Sequence, residues 1–457
     1  MRTHRTAFAI AAALSMVVAA CSSTSTDQQS SASSEPSSQQ SASSEQSSAS
    51  GSESAASSSE GSSETASGEP TFTGEPLKIG FLDTMTGPNG NVGTLNLQGA
   101  QIAVDQWNAK GGVLGRKIEL VVKDEELSPE KTVQHMRDFN SEGINLITGF
   151  TSSADVLAAK PLAEQNNMVI VTAGTTDTSL TTTEHSANVY EIAANIKMMN
   201  VAAAHLAETD WKDVKVWDGV NYDYLTGHNS WDEFNKMIKS GTSGSTTGKV
   251  AFVPFTATQM TPFINSLLAG NPDPKTSGLY YFLFGGGAVQ FAKQAMPLDM
   301  FKDYAVVAAV GGGEEFSAAL GAEGPHVYFV HDYFYQGYDN PVNKQFIEDW
   351  SKLDQIPGLS LYGPHEWAYE GYTAMLAYLN AITDAGSTDS DAVKASLSKI
   401  EFDSPMGKVK FHPSNILEAP VTVWECQGDS AEKFGYKCFN TQSIPPSITL
   451  ADAPTSF

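Results

Sequence analysis

The sequence predicts an α/β body in which parallel strands alternate with helices. Short apolar runs rich in Val, Ile, Tyr and Phe lack strict polar and apolar alternation, as strands buried on both faces do. A helical stripe separates the first two runs, with apolar side chains at i, i+3, i+4 and i+7: Ala100, Ala103, Val104 and Trp107. Repeated strand, helix and strand units imply parallel sheets covered by helices on both faces. The predicted strands are 78–82, 117–123, 146–150, 168–172, 214–220, 279–284, 305–310 and 327–330.

The N-terminus has the features of an export signal. Two arginines precede an apolar stretch, residues 7–18, which is too short to span a bilayer. Two alanines then directly precede Cys21. This arrangement resembles the lipobox of bacterial lipoproteins, which implies that residues 1–20 are a signal peptide and that Cys21 is lipidated. A plain export signal with an incidental cysteine is the alternative.

A serine-rich segment follows Cys21. Residues 22–69 contain no Lys or Arg and have too little apolar surface to offset the entropy lost on ordering the chain. We therefore expect residues 21–75 to be a disordered tether with a root-mean-square span on the order of 40 Å. No later stretch has the 18 or more apolar residues that a membrane-spanning helix needs. The sequence predicts a soluble body that contacts the membrane only through its lipid anchor.

The charge of the chain excludes one class of partner. It has 52 Asp and Glu against 27 Lys and Arg, a formal net charge of −25. An acidic surface repels phosphate backbones and anionic lipid, so nucleic acid is not expected as a partner.

The cysteines predict a disulfide and no metal site. With Cys21 acylated, Cys426 and Cys438 form an even pair in an oxidising location, which favours a local bridge. In the chain-entropy model such a loop contributes roughly 3 kcal/mol. No second Cys or His pair lies nearby, and the histidines lack an i, i+4 pair beside an acid, so neither zinc nor another metal is expected.

No motif of the chain indicates catalysis or a cofactor. Residues 396–399 satisfy the S-x-x-K pattern of serine acyl enzymes, but no Ser-Asp-Asn motif accompanies them. The glycines at 285–287 and 311–313 lack the spacing of a dinucleotide loop, and there is no P-loop lysine. We therefore expect a protein that is not an enzyme and that needs no cofactor.

Short motifs along the body are specific enough to indicate a family. Residues 79–88 read Ile-Gly-Phe-Leu-Asp-Thr-Met-Thr-Gly-Pro, and residues 108–116 read Asn-Ala-Lys-Gly-Gly-Val-Leu-Gly-Arg. Asn-Tyr-Asp-Tyr follows at 221–224 and Ala-Tyr-Glu-Gly-Tyr at 368–372. Together they resemble the type I periplasmic binding proteins of branched-chain amino acid transporters, and the resemblance covers most of the body.

This resemblance implies two doubly wound parallel-sheet lobes joined by a hinge of three chain crossings. The first lobe is expected to comprise residues 76–193 and 334–405. The second is expected to comprise residues 194–333 and 406–450. In this family, a small solute is trapped between the lobes as they close.

Hydroxyl groups in the first lobe are candidates for binding the solute. Ser152 and Ser153 lie between a predicted strand and a helix, where open α/β sheets place ligands. Free N–H groups at a helix start favour an anion, and the same geometry recurs after the next strand. The candidates at these two strand ends are Ser152, Ser153, Ala173, Thr175 and Thr176. The resemblance implies that Ser153, Ala173 and Thr176 hold a carboxylate; the alternative is that these residues only cap helices.

The second lobe is expected to supply the rest of the pocket. By resemblance, Tyr224 covers the ligand and Tyr222 is a second candidate, although either ring could instead pack in the core of the lobe. Amino-acid binders of the family hold the ammonium group with an acid, for which Glu314 and Glu315 are the candidates. The glycines at 285–287 replace a segment that is aromatic in leucine binders, which predicts a wider or differently shaped pocket.

These features predict an exported, lipid-anchored solute-binding protein on the outer face of a bacterial cell membrane. We expect it to capture a small carboxylate-bearing solute by hinge closure: a branched-chain or other hydrophobic amino acid, or an aromatic acid. The expected partners are the separate permease and ATPase subunits of an ABC importer. The alternatives are a ligand-sensing receptor of the same fold and a binder of amide or urea-type solutes.

Overall fold

The computed structural model describes residues 70–87, 89–354 and 356–457. The predicted signal peptide, Cys21 and the tether as far as residue 69 lie outside these residues. All described residues belong to one compact unit. None of the helices in these ranges is both long enough and apolar enough to cross a membrane.

The first sheet is parallel throughout and has five strands in the order β2-β1-β3-β4-β5. Its central strands are short and apolar, and every residue of β3 and β4 is buried, as expected for a sheet covered on both faces. The strands are β1 Leu77–Asp83, β2 Ile118–Asp124, β3 Leu146–Gly149, β4 Val169–Thr172 and β5 Val189–Glu191.

The second sheet has seven strands in the order β14-β13-β10-β9-β8-β6-β7. Strands β6 to β10 pair in parallel, whereas β13 and β14 pair antiparallel at one edge. The parallel prediction is therefore confirmed for the centre of the sheet, and this edge makes the sheet mixed. The strands are β6 Val216–Tyr222, β7 Thr246–Val253, β8 Ser277–Phe282, β9 Val306–Val310, β10 Val327–His331, β13 Val421–Gly428 and β14 Tyr436–Ile444, and a separate two-stranded sheet comprises β11 Glu401–Ser404 and β12 Gly407–Lys410.

Helices cover both faces of the two large sheets. In the described ranges they are α1 Gly90–Asn108, α2 Pro129–Ser141, α3 Ser153–Gln165, α4 Ile196–Glu208, α5 Leu225–Ser240, α6 Thr261–Leu268, α7 Gly285–Ala295, α8 Glu314–Leu320, α9 Pro341–Trp350, α10 Glu366–Ala385, α11 Ser390–Leu397 and α12 Pro446–Thr449. The chain passes between the two sheets after β5, after β10 and after β12, which is the three-crossing connection that the resemblance implies.

The hairpin of β11 and β12 packs with the first sheet. Phe402 and Val409, which pair across the hairpin, are buried in the same hydrophobic core as the side chains of β1. The expected lobe boundary between residues 405 and 406 falls at the turn of this hairpin. The last passage to the second sheet follows β12.

Helices α1 and α10 touch through their backbones on one face of the first sheet. A Cβ added at Gly99 would lie 1.8 Å from the carbonyl oxygen of Ala368, and one added at Gly371 would lie 2.0 Å from that of Asn96. No side chain fits in these spaces. Because α10 begins at the edge of the cleft between the lobes, this contact fixes the position of its first two turns.

A disulfide joins the two antiparallel strands at one edge of the second sheet. Cys426 in β13 lies directly opposite Cys438 in β14, with their Cα atoms 4.1 Å apart. The bridge links the two strands near the turn of the hairpin. It stabilises the folded chain mainly by restricting the unfolded one.

Candidate functional site

A cavity of about 360 Å³ lies where the carboxyl ends of the two sheets face each other. In open α/β sheets ligands bind beyond these strand ends. The first sheet contributes residues after β3 and β4, the second contributes residues at the ends of β6, β8, β9 and β10, and α10 contributes two side chains. The lining residues are Asn89, Val92, Leu127, Thr151, Ser152, Ser153, Ala154, Leu157, Gly174, Thr176, Asp177, Tyr224, Leu225, Thr226, Phe255, Phe282, Phe284, Gly311, His331, Trp367 and Glu370.

Hydrogen-bond donors occupy the first-lobe side of the cavity. Ser152 caps α3, and its Oγ accepts a hydrogen bond from the backbone N–H of Asp155 at 3.3 Å. Ser153 Oγ accepts hydrogen bonds from the N–H groups of Thr176 at 3.3 Å and Asp177 at 3.2 Å. Because a hydroxyl oxygen has two lone pairs, the O–H of this serine remains available to donate. The first N–H groups of α3 also lack intrahelical acceptors, so this side suits a carboxylate.

Aromatic rings form the opposite wall. Tyr224 lies edge-on to Phe255 with ring centroids 5.0 Å apart, and Phe284 packs on Phe282 at 6.0 Å. Trp367 on α10 also lines the cavity. These rings give the cavity a mostly apolar body beside the donors, which is the usual composition of a small-molecule site.

The structure brings four of the nine predicted ligand-binding residues to the cavity. Ser152, Ser153, Thr176 and Tyr224 line it. The other five lie outside the lining: Ala173, Thr175, Tyr222, Glu314 and Glu315.

The segment after β4 explains two of these differences. Ala173 is fully buried, and Thr175 is hydrogen-bonded with Thr172 at 2.7 Å and Glu191 at 3.2 Å, inside the first lobe. Gly174 and Thr176, the residues on either side of Thr175, line the cavity instead.

Tyr222 supports the aromatic wall from behind. Its hydroxyl donates to the carbonyl oxygen of Phe284 at 2.8 Å, and its ring stacks on Phe255 at 4.2 Å. A Cβ at Gly287 would lie 2.1 Å from the Tyr222 hydroxyl oxygen. Gly287 therefore makes room for this hydroxyl. That the glycine run gives a wider or differently shaped pocket stays a prediction.

Both predicted acids are buried away from the cavity. Glu314 accepts a hydrogen bond from the hydroxyl of Tyr436 at 2.6 Å, and burial raises its pKa to about 7. Glu315 lies 2.8 Å from Nε2 of His365, the N-cap of α10. Burial tends to raise the pKa of Glu315, but the hydrogen bond and charge of His365 outweigh it, so the pKa is lowered. Neither acid is placed to touch a solute in this cavity.

Two other acids, which were not among the predicted site residues, line the cavity. Asp177 accepts hydrogen bonds from the backbone N–H of Ser179 and the hydroxyl of Thr226, both at 2.9 Å. Since Thr226 belongs to α5, this contact links the two lobes across the cleft. The second acid, Glu370, lies on α10 within a motif that carried the family resemblance, but nothing in that motif marked it as a ligand-binding position.

Comparison with known proteins identifies the family to which this architecture belongs. The family model described as "Periplasmic binding protein" matches residues 76–431. The leucine-, isoleucine-, valine-, threonine- and alanine-binding protein of Pseudomonas aeruginosa is 23% identical over 368 residues, covering 78% of this chain and 91% of that protein. The leucine-specific-binding protein of Salmonella typhimurium is 24% identical over 365 residues, covering 78% and 93%.

Solved structures share the fold at low sequence identity. An amino acid ABC transporter substrate-binding protein from Pseudomonas fluorescens has a TM-score of 0.72 at 16% identity, covering 84% of this chain and 100% of that chain. A solute-binding protein from Rhodopseudomonas palustris in complex with 3,4-dihydroxybenzoic acid has a TM-score of 0.68 at 19% identity, covering 81% and 98%. The chain belongs to the periplasmic binding protein family, so it is a solute-binding protein and not an enzyme.

Proposed function

We propose that this protein captures a small solute with a carboxylate and an apolar body, and delivers it to an ABC importer. The observation that supports this proposal is the cavity in which the free hydroxyl of Ser153 and the start of α3 face an aromatic wall. Its volume of about 360 Å³ suits a hydrophobic amino acid or an aromatic acid.

Capture is proposed to proceed by closure of the two lobes. The solute carboxylate binds first to Ser153 and Thr176, and the wall that contains Tyr224 then closes over the apolar part. The hydrogen bond between Thr226 and Asp177 forms as the lobes meet. The permease of the importer recognises the closed form.

Binding is tested with the exported body and a panel of L-amino acids and aromatic acids. At about 100 times the dissociation constant, a cognate solute adds roughly 2.7 kcal/mol of stability, which is visible as a rise in melting temperature. We expect Thr176→Val to weaken binding by about 1.5–3 kcal/mol, because it removes a hydroxyl that bonds a charged group. Tyr224→Ala weakens binding through lost apolar contact.

The control is Thr183→Val, which makes the same chemical change at an exposed position outside the cavity. Calorimetry should give this variant the affinity of the unmodified protein. If Thr176→Val and Tyr224→Ala also bind normally, the solute site lies elsewhere.

The proposed location is the outer face of the cell membrane, since the family is extracytoplasmic and Cys21 follows a lipobox-like sequence. We expect Cys21→Ser to release the protein from the membrane, because the thiol that would carry the lipid is lost. The measurement is the distribution of the protein between membrane and medium after detergent-free washing. A variant that stays with the membrane would contradict the lipid anchor.

A further inference from the structure

A segment of the first lobe reaches the second lobe beside the hinge. Residues 359–365, which we call the strap, lie between α9 and α10. Leu359 and Leu361 are buried in the same hydrophobic core as the side chains of β1, so they anchor the strap to the first lobe. Gly363 packs against the ring of Tyr335, where an added Cβ would lie 2.5 Å from Cγ. Tyr335 follows β10, so the strap lies next to the second passage of the chain between the sheets.

The strap contacts the tip of the hairpin of β13 and β14, residues 427–437. The ring centroid of Tyr362 lies 4.7 Å from that of Phe434 and 5.2 Å from that of Tyr436. The hydroxyl of Tyr362 also accepts a hydrogen bond from the backbone N–H of Phe434 at 3.0 Å. The hydroxyl of Tyr436 lies 3.1 Å from the carbonyl oxygen of Ser360. These contacts join the first lobe to the second.

Glu314 at the start of α8 takes part in the same contact. Its carboxyl accepts hydrogen bonds from the hydroxyl of Tyr436, at 2.6 Å, and from the backbone N–H of Tyr362. This buried acid therefore connects the tip and the strap, and we call the three parts together the clasp. None of the described residues of the clasp lines the solute cavity. The clasp is thus a contact between the lobes that is separate from the solute site.

The disulfide lies at the base of the tip. Cys426 and Cys438 are directly opposite each other, and two further residue pairs continue the pairing of the strands towards the turn. Phe434 and Tyr436, which contact the strap, lie inside the loop that the bridge closes. A loop that is tied at its base has fewer conformations than an open one. The bridge therefore helps to hold these two rings where the strap meets them.

We propose that the clasp stabilises the closed form and that the bridge between Cys426 and Cys438 holds the tip in place for it, so that solute affinity depends on the redox state of this disulfide. The inference rests on the proposed capture by lobe closure. The strap and the tip belong to different lobes, so opening separates them. A contact that forms only on closure raises affinity by the free energy that it contributes to the closed form.

A dithiol is the class of reductant that opens the bridge. Cys426 is fully buried and Cys438 is only partly buried, so a thiolate of the dithiol attacks Sγ of Cys438. The S–S bond breaks, Cys426 leaves as a thiolate and a mixed disulfide forms on Cys438. The second thiol of the reagent then displaces Cys438. Two electrons and two protons pass to the protein, which keeps two thiols, and the reagent becomes a cyclic disulfide.

The test compares the affinities of the oxidised and the reduced protein. Calorimetry measures the binding of L-leucine, L-phenylalanine and benzoate to the exported protein before and after treatment with dithiothreitol, at a temperature where both forms are folded. Reduction is expected to weaken the binding of the tightest of the three by about 5- to 20-fold. The reason is that an aromatic contact and a backbone hydrogen bond are lost from the closed form.

Phe434→Ala tests the clasp while the bridge is intact. It removes the ring contact with Tyr362 and should weaken binding by about 3- to 10-fold. Reduction should then have a smaller further effect, because both changes act on the same contact. Phe439→Ala is the matched control, since Phe439 is a half-buried ring in the same hairpin that stacks on His326 of the same lobe. This control should bind as tightly as the unmodified protein.

Hydrogen exchange reports on the clasp independently of affinity. The backbone N–H of Phe434 is protected by the hydroxyl of Tyr362 when the strap and the tip are in contact. Its exchange with deuterium should be faster in the reduced protein than in the oxidised protein. Tyr362→Phe keeps the ring and removes the acceptor, so exchange at Phe434 should also be faster in this variant.

Two results would overturn the inference and leave the proposed function intact. They are equal affinities of the oxidised and reduced protein, and equal losses of affinity in Phe434→Ala and Phe439→Ala, which would indicate a general loosening of the hairpin. If the reduced protein does not fold, the comparison of these two variants decides the question. If none of the three solutes binds to the unmodified protein, the proposed function itself fails. Exchange at Phe434 then decides whether the bridge holds the clasp.

Discussion

Gly371→Val is expected to lower the free energy of unfolding by about 3 kcal/mol, at the upper end of the usual range for overpacking. The reason is the backbone contact between α1 and α10, in which a Cβ at this position would lie 2.0 Å from the carbonyl oxygen of Asn96. The contact is with backbone on a helix that itself packs on the sheet, so neither side can move aside locally. The measurement is the midpoint of urea unfolding.

A control measures what a valine does in this helix where there is no clash. Thr383→Val places valine at an exposed position of the same helix and should change stability by less than about 0.5 kcal/mol. Equal midpoints for the two variants would contradict the close approach. Solute affinity should fall only in Gly371→Val, since displacing α10 also moves Trp367 and Glu370 out of the cavity wall.

The sequence predicted the parts of the fold that apolar patterning determines. Strands such as β3 and β4 are buried along their whole length, so their composition alone marks them. Strand β7 was missed because it is an edge strand with alternating exposed positions and begins Thr-Thr-Gly-Lys, which gives little apolar signal. The antiparallel edge of β13 and β14 was missed as strands, although the cysteines that join it were noted.

The site was harder to predict because a side chain's direction depends on its partners. Ser152 and Ser153 were found because a strand and then a helix flank them, and this local order places them at the cleft. Glu314 and Glu315 follow a strand in the same way, but their partners, Tyr436 and His365, come from distant parts of the chain and hold them away from it. No local sequence pattern indicates contacts with residues so far away in the chain.

Glu370 is the opposite case, because it lines the cavity although no local pattern predicted it there. It lies in a helix whose every residue near it is buried, and in sequence it resembles a polar residue on an ordinary helix face. Its exposure to the cavity depends on Gly174, which comes from a different strand end and leaves space for the carboxyl. Only the juxtaposition of these two segments shows that the acid faces a ligand site.

Glu315→Ala is expected to weaken solute binding about 100-fold or more, although Glu315 does not line the cavity. Glu315 on α8 belongs to the second lobe and His365 belongs to the first, and their side chains meet at 2.8 Å in a buried contact. Removing one partner of a buried ion pair costs about 3–5 kcal/mol. Here His365 would keep only its longer contact with the Glu366 carboxylate, at 3.3 Å, so the cost is expected at the lower end of that range. In an open form water would solvate the histidine, so the cost falls on closure and therefore on affinity.

The matched control for this effect is Glu425→Ala. Glu425 also meets a histidine, His326, at 2.8 Å, but both residues lie in the second lobe and the histidine is 40% exposed. This variant should retain full affinity, because an exposed pair within one lobe is unaffected by closure and contributes at most about 1 kcal/mol to stability. Equal affinities for the two variants would show that the buried pair does not stabilise the closed form.

The pH dependence of closure follows from the same pair. The pKa of Glu315 is below its ordinary value in this structure, with His365 outweighing the effect of burial. Its contribution to closure is therefore complete above the ordinary carboxyl pKa and is lost as the pH falls through the lowered value. Glu315→Ala should abolish that acid-side loss of affinity, which a series of affinity measurements at decreasing pH would show.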